Sequence, residues 1–455
     1  MTVLRLIFLP LVIVFLVIGC AGEPGIEAVR ILEAEESLDM DDLWPGFDPL
    51  EIPVAIYDGQ NTVLARHPAP PEGFAPMGHH ADLQIYEGRY PAVTANTSGE
   101  IGGVSCAMIM MDLEDVHDAQ VTQDKSYDEW ASVLVHESFH VFQHYHHPDW
   151  GANEAVAFTY PVEDTVGLTL RRMAGAALRE AVMAEDDGVA ASWTAGALAY
   201  RADRYGRMSE EEVKYDRGIE LMEGTAYYVE SCCLRERGGE LRMEAAFSAN
   251  EFRKRCYCTG RACCVLLDRF SPGWKDRLEG GEIVSLDSLL AEALVLRRVV
   301  PQQFPKIRYE EEFQRATQEV SGILVERARQ RDEFFGADGW RLVIDVGNQS
   351  NVFWSAGFDP MNMVRLQERE VLHKRWVKLS GATGVVEVMN RQALTVGVGP
   401  HPMFDGVKRV VLTGLEDEPI FVVKGENAII EMEGLTAKFS SVAVSRDEHA
   451  VTVRI

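Results

Sequence analysis

The densest chemical signal in the chain is Val133-Leu134-Val135-His136-Glu137-Ser138-Phe139-His140-Val141-Phe142-Gln143. On an α-helix, residues four apart differ by about 40° around the axis and lie one turn apart, so both imidazoles reach one ion. Glu137 between them sets a proton acceptor beside a metal-bound water. With 12 His and 71 Asp plus Glu in 455 residues, a His-acid-x-x-His pattern arises by chance about 0.05 times. The competing reading is a helix with two surface histidines. Val133, Leu134, Val135, Phe139, Val141 and Phe142 argue against it, because they describe a mostly buried element and a buried His pair needs partners.

Catalytic zinc usually takes three protein ligands and a water. His146 is one candidate for the third, but on a continuing helix it sits about 240° from His140, off the metal face. His144 and His147 read as polar residues at a helix end before Pro148. The distant candidate is Glu223, in Tyr215–Glu230. With Ile219 as origin at about 100° per residue, Met222, Ala226 and Cys233 form an apolar stripe with Glu223 at its edge. A carboxylate there must be neutralised, paired to an arginine, or placed on a metal. Glu220 reads as more exposed. Glu230 is the rival, without neighbours as small as Gly224 and Ala226.

His136-Glu137-Ser138-Phe139-His140 with the later Glu223-Gly224-Thr225-Ala226-Tyr227 resembles the gluzincin zinc metallopeptidases, in particular small bacterial members whose second helix reads Glu-Gly-x-Ala-x-Tyr. Tyr257-Cys258-Thr259-Gly260-Arg261-Ala262, then Leu266-Leu267-Asp268, is similar to the Tyr-x-x-Gly helix start that follows the Glu helix there. The resemblance spans roughly residues 52–296. It implies a zincin-like α+β domain, a small N-terminal β-sheet packed on the His helix and then a helical half carrying the Glu. It implies Zn2+ on His136, His140 and Glu223, with Glu137 as general base on a peptide or protein substrate. Tyr257 and Tyr227 are candidate donors to the oxyanion. The separation of 83 positions from His140 to Glu223 exceeds the family's spacing, so the Ala-rich helices between 155 and 205 stand as an insertion. Gly102–Met110 is expected to be the sheet edge that pairs with an extended peptide.

These residues need elements to hold them. Ser126-Tyr127-Asp128-Glu129 can cap a helix from Trp130 to about Tyr145, ended by Pro148. Helical spacing recurs at Val166–Val182, Ile219–Cys233, Ala262–Phe270, Leu286–Leu296 and Tyr309–Phe334. Short β-like runs precede the His helix, at Ile52–Tyr57 and Gly103–Met111. After Gly339 the period becomes two, at Arg341–Val346, Gly384–Val388, Lys408–Thr413, Ile420–Lys424 and Ala450–Ile455, which predicts a C-terminal all-β sandwich or barrel. The expected division is 1–19 signal peptide, 20–46 acidic linker, 47–335 peptidase domain and 336–455 β domain.

Met1–Cys20 has one charge, Arg5, an apolar run of about 13 residues and the ending Val17-Ile18-Gly19-Cys20. It resembles a bacterial lipoprotein signal, which implies cleavage before Cys20, lipid on its sulfur and an exported body tethered to a membrane through that anchor, on the outer membrane in a Gram-negative source. The plain alternatives are an ordinary secretory signal or a short uncleaved anchor. Residues 21–45 hold eight acids against Arg30 and read as a solvated spacer, with room for a short helix. The net charge of −27 repels phosphate backbones and excludes nucleic acid as a general partner. A mean hydropathy of −0.09 excludes a polytopic membrane protein. Six cysteines fall within Cys232–Cys264, where export favours one or two disulfides, buried thiols are the plainer reading, and the spacing suits a second metal poorly. His79-His80, His373 and His401 carry no metal pattern. The function classes left are a tethered zinc peptidase, an inactive zincin scaffold binding peptide or cell-envelope ligands, and a non-proteolytic zinc hydrolase.

Overall fold

The computed structural model describes residues 24–40, 42–111, 125–234, 247–282, 285–295, 297–346, 352–359, 362–424, 427–440 and 442–455. The lipoprotein-like segment and Cys20 lie outside them. The fold is mixed, with helices and several β-sheets. Chain contacts divide it into two units. One comprises the described residues up to 150 with 225–234 and 275–281; the other comprises 151–224, 247–274 and the described residues from 282 on.

The first unit opens with α1 (Ile26–Glu36) and continues with β1 (Val54–Tyr57), β2 (Asn61–Ala65), β3 (Ala75–Met77), β4 (His80–Glu87), β5 (Thr97–Ile101), β6 (Val104–Met110) and α2 (Tyr127–His146). The strands form one six-stranded sheet in the order β3-β4-β2-β1-β6-β5, antiparallel except for β1 beside β6. Period-two alternation puts Ala55, Leu64, Cys106, Met108 and Met110 in one core with Val93 and Ile101. The alternate set, Val54, Ile56, Val63, Ala107 and Ile109, is equally buried, on the face toward the helices, and α2 packs on β5 and β6.

Two expectations change here. The acidic stretch before residue 46 is not a solvated spacer. α1 buries Ala28, Val29, Ile31 and Leu32, packs on α2, and the following Trp44 and Phe47 meet Phe139 with ring centroids 5.1 and 5.0 Å apart. Glu33 and Glu36 lie on its exposed side, while Glu35 is buried and paired with Arg66 at 2.9 Å. Nor is β6 the sheet edge. Gly102 and Gly103 both take positive φ, +58° and +81°, a turn open to glycine that folds β5 back onto β6 and makes β5 the outer strand.

The second unit holds α3 (Ala155–Thr159), α4 (Thr165–Met183), α5 (Asp187–Tyr205), the first part of α6 (Glu210–Cys233), α7 (Phe252–Phe270), α8 (Trp274–Glu279, which passes into the first unit), α9 (Leu286–Val295) and α10 (Lys306–Gly336). α4 and α5 pack as a helical hairpin, and α7 lies on α4 and α9. α7 begins at Phe252, so Tyr257 sits inside the helix rather than at its start. α6 continues unbroken through residues 224 and 225 and belongs to both units.

The C-terminal strands are β7 (Trp340–Asp345), β8 (Trp354–Phe358), β9 (Met363–Gln367), β10 (Glu370–His373), β11 (Trp376–Gly381), β12 (Gly384–Met389), β13 (Ala393–Gly397), β14 (Val407–Leu415), β15 (Phe421–Lys424), β16 (Asn427–Met432), β17 (Leu435–Ser440), β18 (Ala443–Asp447) and β19 (Ala450–Arg454). They form sheets of order β18-β19-β7-β14-β13-β10-β9 and β15-β16-β17-β12-β11-β8. Leu342, Ile344, Val410 and Leu412 from the first share a core with Val377, Leu379, Val386 and Phe439 from the second, a sandwich.

None of the seven cysteines among the described residues is in a disulfide, and six are buried. The disulfides expected between 232 and 264 do not form; burial pushes the Cys106 thiol up to about 11 and the Cys263 thiol up to about 12. Among the described residues no helix is long and apolar enough to cross a membrane.

Burial in the sandwich holds His373 down at about 4, with Nε2 3.0 Å from Thr395 Oγ1. The unfolded chain protonates near 6.5 and the folded one does not, so stability is full above pH 6.5 and falls as pH drops from 6.5 to 4. Chemical denaturation should show that His373→Gln loses up to about 3 kcal/mol less than wild type over that window.

Candidate metal centre

Helix α2 starts where the sequence places it, at a capping box in which Ser126 Oγ accepts from Glu129 N and the Glu129 side chain accepts from Ser126 N. Apolar residues on nearly every side bury its middle turns, and His136 and His140 are buried with them. Their Nε2 atoms face each other 3.1 Å apart. His136 Nδ1 is 2.9 Å from Glu230 Oε2, and His140 Nδ1 is 2.7 Å from Gln143 Oε1. Both partners are acceptors, so each Nδ1 carries the proton and each Nε2 presents a lone pair. Two lone pairs at that distance repel unless a cation, a metal ion or a proton shared as Nε2–H···Nε2, stands between them. Tetrahedral zinc with N ligands at 2.0–2.1 Å spaces them about 3.3 Å apart.

The same polar contacts dock α6 on α2. Glu230 holds His136, and Gln143 Nε2 donates to Thr225 Oγ1 at 2.9 Å. Glu223 stands on that helix half a turn before Thr225. His136, His140 and Glu223, all buried, each offer one ligand atom, and these lie within 4.8 Å of one another. The set can hold a metal ion, with two neutral imidazoles and a carboxylate as donors.

Glu223 is supported from α7. A Cβ on Gly224 would lie 2.5 Å from Gly260 Cα, and one on Gly260 would lie 2.5 Å from Glu220 O. The two helices therefore cross backbone to backbone, which only glycine at both positions permits. One and nearly two turns before Gly260, Tyr257 and Arg253 flank the carboxylate. Arg253 Nη2 donates to Glu223 Oε1 at 2.8 Å and Nη1 donates to Tyr257 Oη at 2.6 Å. The Tyr257 hydroxyl also hydrogen-bonds Glu223. Burial, then the Glu223 charge, raises the Tyr257 phenol far above its ordinary value, and it stays protonated. A carboxylate has two oxygens, so an arginine on one is compatible with a metal on the other.

The remaining candidates fall elsewhere. His146 is exposed, its ring stacked on Phe142 at 4.4 Å. Glu220 is buried, contrary to the helical-wheel reading, because α6 is enclosed on that side; Arg201 pairs with it at 2.6 and 2.8 Å and Arg255 at 3.2 Å. Glu230 orients the His136 ring. Sequence reasoning missed Gln143 and Thr225, although Gln143 lies three residues beyond His140 on the same face, and Glu230 lies seven beyond Glu223, two helical turns along. Glu137 is buried next to His136.

No family model, no curated protein and no solved structure matches the chain.

Removing the oxygens behind the imidazoles should weaken the centre without emptying the core. Zinc affinity, measured by competition with a chromophoric chelator, should fall about 10–100-fold in Glu230→Ala and in Gln143→Ala. It should stay unchanged in His146→Ala. Gly260→Ala should cost about 1–3 kcal/mol in denaturant unfolding, since the added methyl meets backbone that cannot yield.

Proposed function

We propose that the protein is a zinc-dependent peptidase that cleaves peptide bonds with metal-activated water, tethered to a bacterial membrane by lipid on Cys20. The observation that carries this reading is the buried His136–His140–Glu223 group on two helices, with Glu137 beside it on α2. Zinc bound there supplies a Lewis acid and lowers the pKa of its water toward neutrality. His136, His140 and Glu223 hold the ion, and Glu230 and Gln143 keep the two imidazoles in the tautomer that ligates. Glu137 takes the water proton and returns it to the leaving amine. Tyr257 and Arg253 hold the Glu223 carboxylate, and the Tyr257 hydroxyl is the candidate donor to the developing oxyanion.

Substrate orientation is assigned to β5. It is the outer strand of the sheet, it packs on α2, and its Ser98 Oγ lies 3.3 Å from His144 Nδ1. An extended peptide added to that edge runs alongside the His helix. The resemblance to gluzincins in His136–His140 and Glu223–Tyr227 supports the same reading.

The test compares wild type with Glu137→Gln on a mixed peptide library, with bound zinc measured in both. Hydrolysis should drop at least about 100-fold while zinc is retained. Equal cleavage by both proteins removes the proteolytic reading.

A further inference from the structure

Behind Glu223, the second unit encloses more positive than negative charge. Arg171 on α4, Arg201 and Arg204 on α5, and Arg255 on α7 are each at most 5 % exposed. They face two carboxylates of α6, Asp216 and Glu220. Arg204 and Arg255 pair with Asp216, and Arg201 and Arg255 with Glu220. Tyr160 Oη donates to Asp216 Oδ1 at 2.9 Å. Asp287 also faces Arg201, but Arg217 engages it at 2.9 Å. Among the described residues no carboxylate pairs with Arg171, on which Asp216 acts only from a distance; its Nη atoms donate to the carbonyls of Phe247, Ser248 and Ala249.

The four guanidiniums line one cavity with Ala174, Gly175, Leu178 and Thr259, with about 10 Å³ open to the centre of a water-sized particle. Of the arginines lining it, Arg171 and Arg255 each bury an Nε that has no hydrogen-bond acceptor among the described residues. A Cβ on Gly175 would meet nothing within 4 Å, so the helix wall leaves room. Burial, and then Arg255, pushes the Arg171 guanidinium down to about 10, the response of a charge short of a counterion.

We propose that this cavity binds a single halide ion, chloride in solution, held by Arg171 and Arg255 within the four-arginine ring. Two N–H donors without acceptors, four cations against two anions and room for one small particle select a monatomic anion. Phosphate, sulfate and carboxylates are too large. The ion joins α4, α5 and α7 around the turn of α6 that precedes Glu223. The inference is independent of what the metal centre does.

Thermal unfolding of the full chain, at constant ionic strength, tests it. Chloride or bromide replacing gluconate should raise the midpoint saturably, by about 2 °C or more, against the general stabilising order of these salts. Arg171→Leu should abolish the difference. Crystals of the wild-type protein grown in bromide should show an anomalous peak within hydrogen-bond reach of both Nε atoms, a reading that does not depend on how well the variant folds. Equal midpoints in chloride and gluconate, or a water in place of bromide, overturn the proposal.

Discussion

Two imidazole lone pairs turned toward each other at 3.1 Å are the constraint on which the centre depends. With Glu230 and Gln143 accepting the Nδ1 protons, an added cation between the two Nε2 atoms, a metal ion or a shared proton, is what satisfies both nitrogens. A helix alone would let the rings rotate away. Here α2 is buried along its middle turns and both rings are pinned by oxygen acceptors, one from α6 and one from α2 itself. The arrangement stores electrostatic repulsion that a cation relieves, and the carboxylate of Glu223 supplies the matching negative charge.

The carboxylate reaches that position through backbone rather than side-chain packing. Gly224 and Gly260 bring α6 and α7 into direct contact, which places Arg253 and Tyr257 on either side of Glu223. One turn earlier the same pair of helices carries Glu220 and Arg255, and α5 adds Arg201 and Arg204. Buried charge of this kind contributes little net stability, because desolvation offsets most of the attraction. A slip of one residue along α6 would break the pairs that Asp216 and Glu220 make with Arg201, Arg204 and Arg255. Asp216 is held down at about 2 by Arg204 and Arg255 against the cost of burial, in a cluster where arginines outnumber carboxylates.

Much of this was legible because it rests on short-range geometry. The extent of α2 follows from a capping box and Pro148, both local signals. The two histidines on it follow from a spacing of four, and Glu223 from its place at the edge of an apolar stripe. What escaped depended on partners distant in the chain. Glu220 looked exposed on a wheel drawn for α6 alone, and it is buried because arginines of α5 and α7 close over it. Trp44 looked like part of a spacer until Phe139 supplied the surface it covers. Gly102–Met110 looked like an edge because nothing in its own residues reveals that β5 folds over it.

The amino-acid order by itself determined which atoms are available, an imidazole pair one turn apart, a neighbouring base and a carboxylate beside two small residues, because helical periodicity converts spacing into a shared face. Only the tertiary structure decided which carboxylate of α6 completes the set. Glu220, Glu223 and Glu230 differ little as side chains. Their fates, an arginine pair, the metal group and the orienting hydrogen bond to His136, were settled by which helix each one meets.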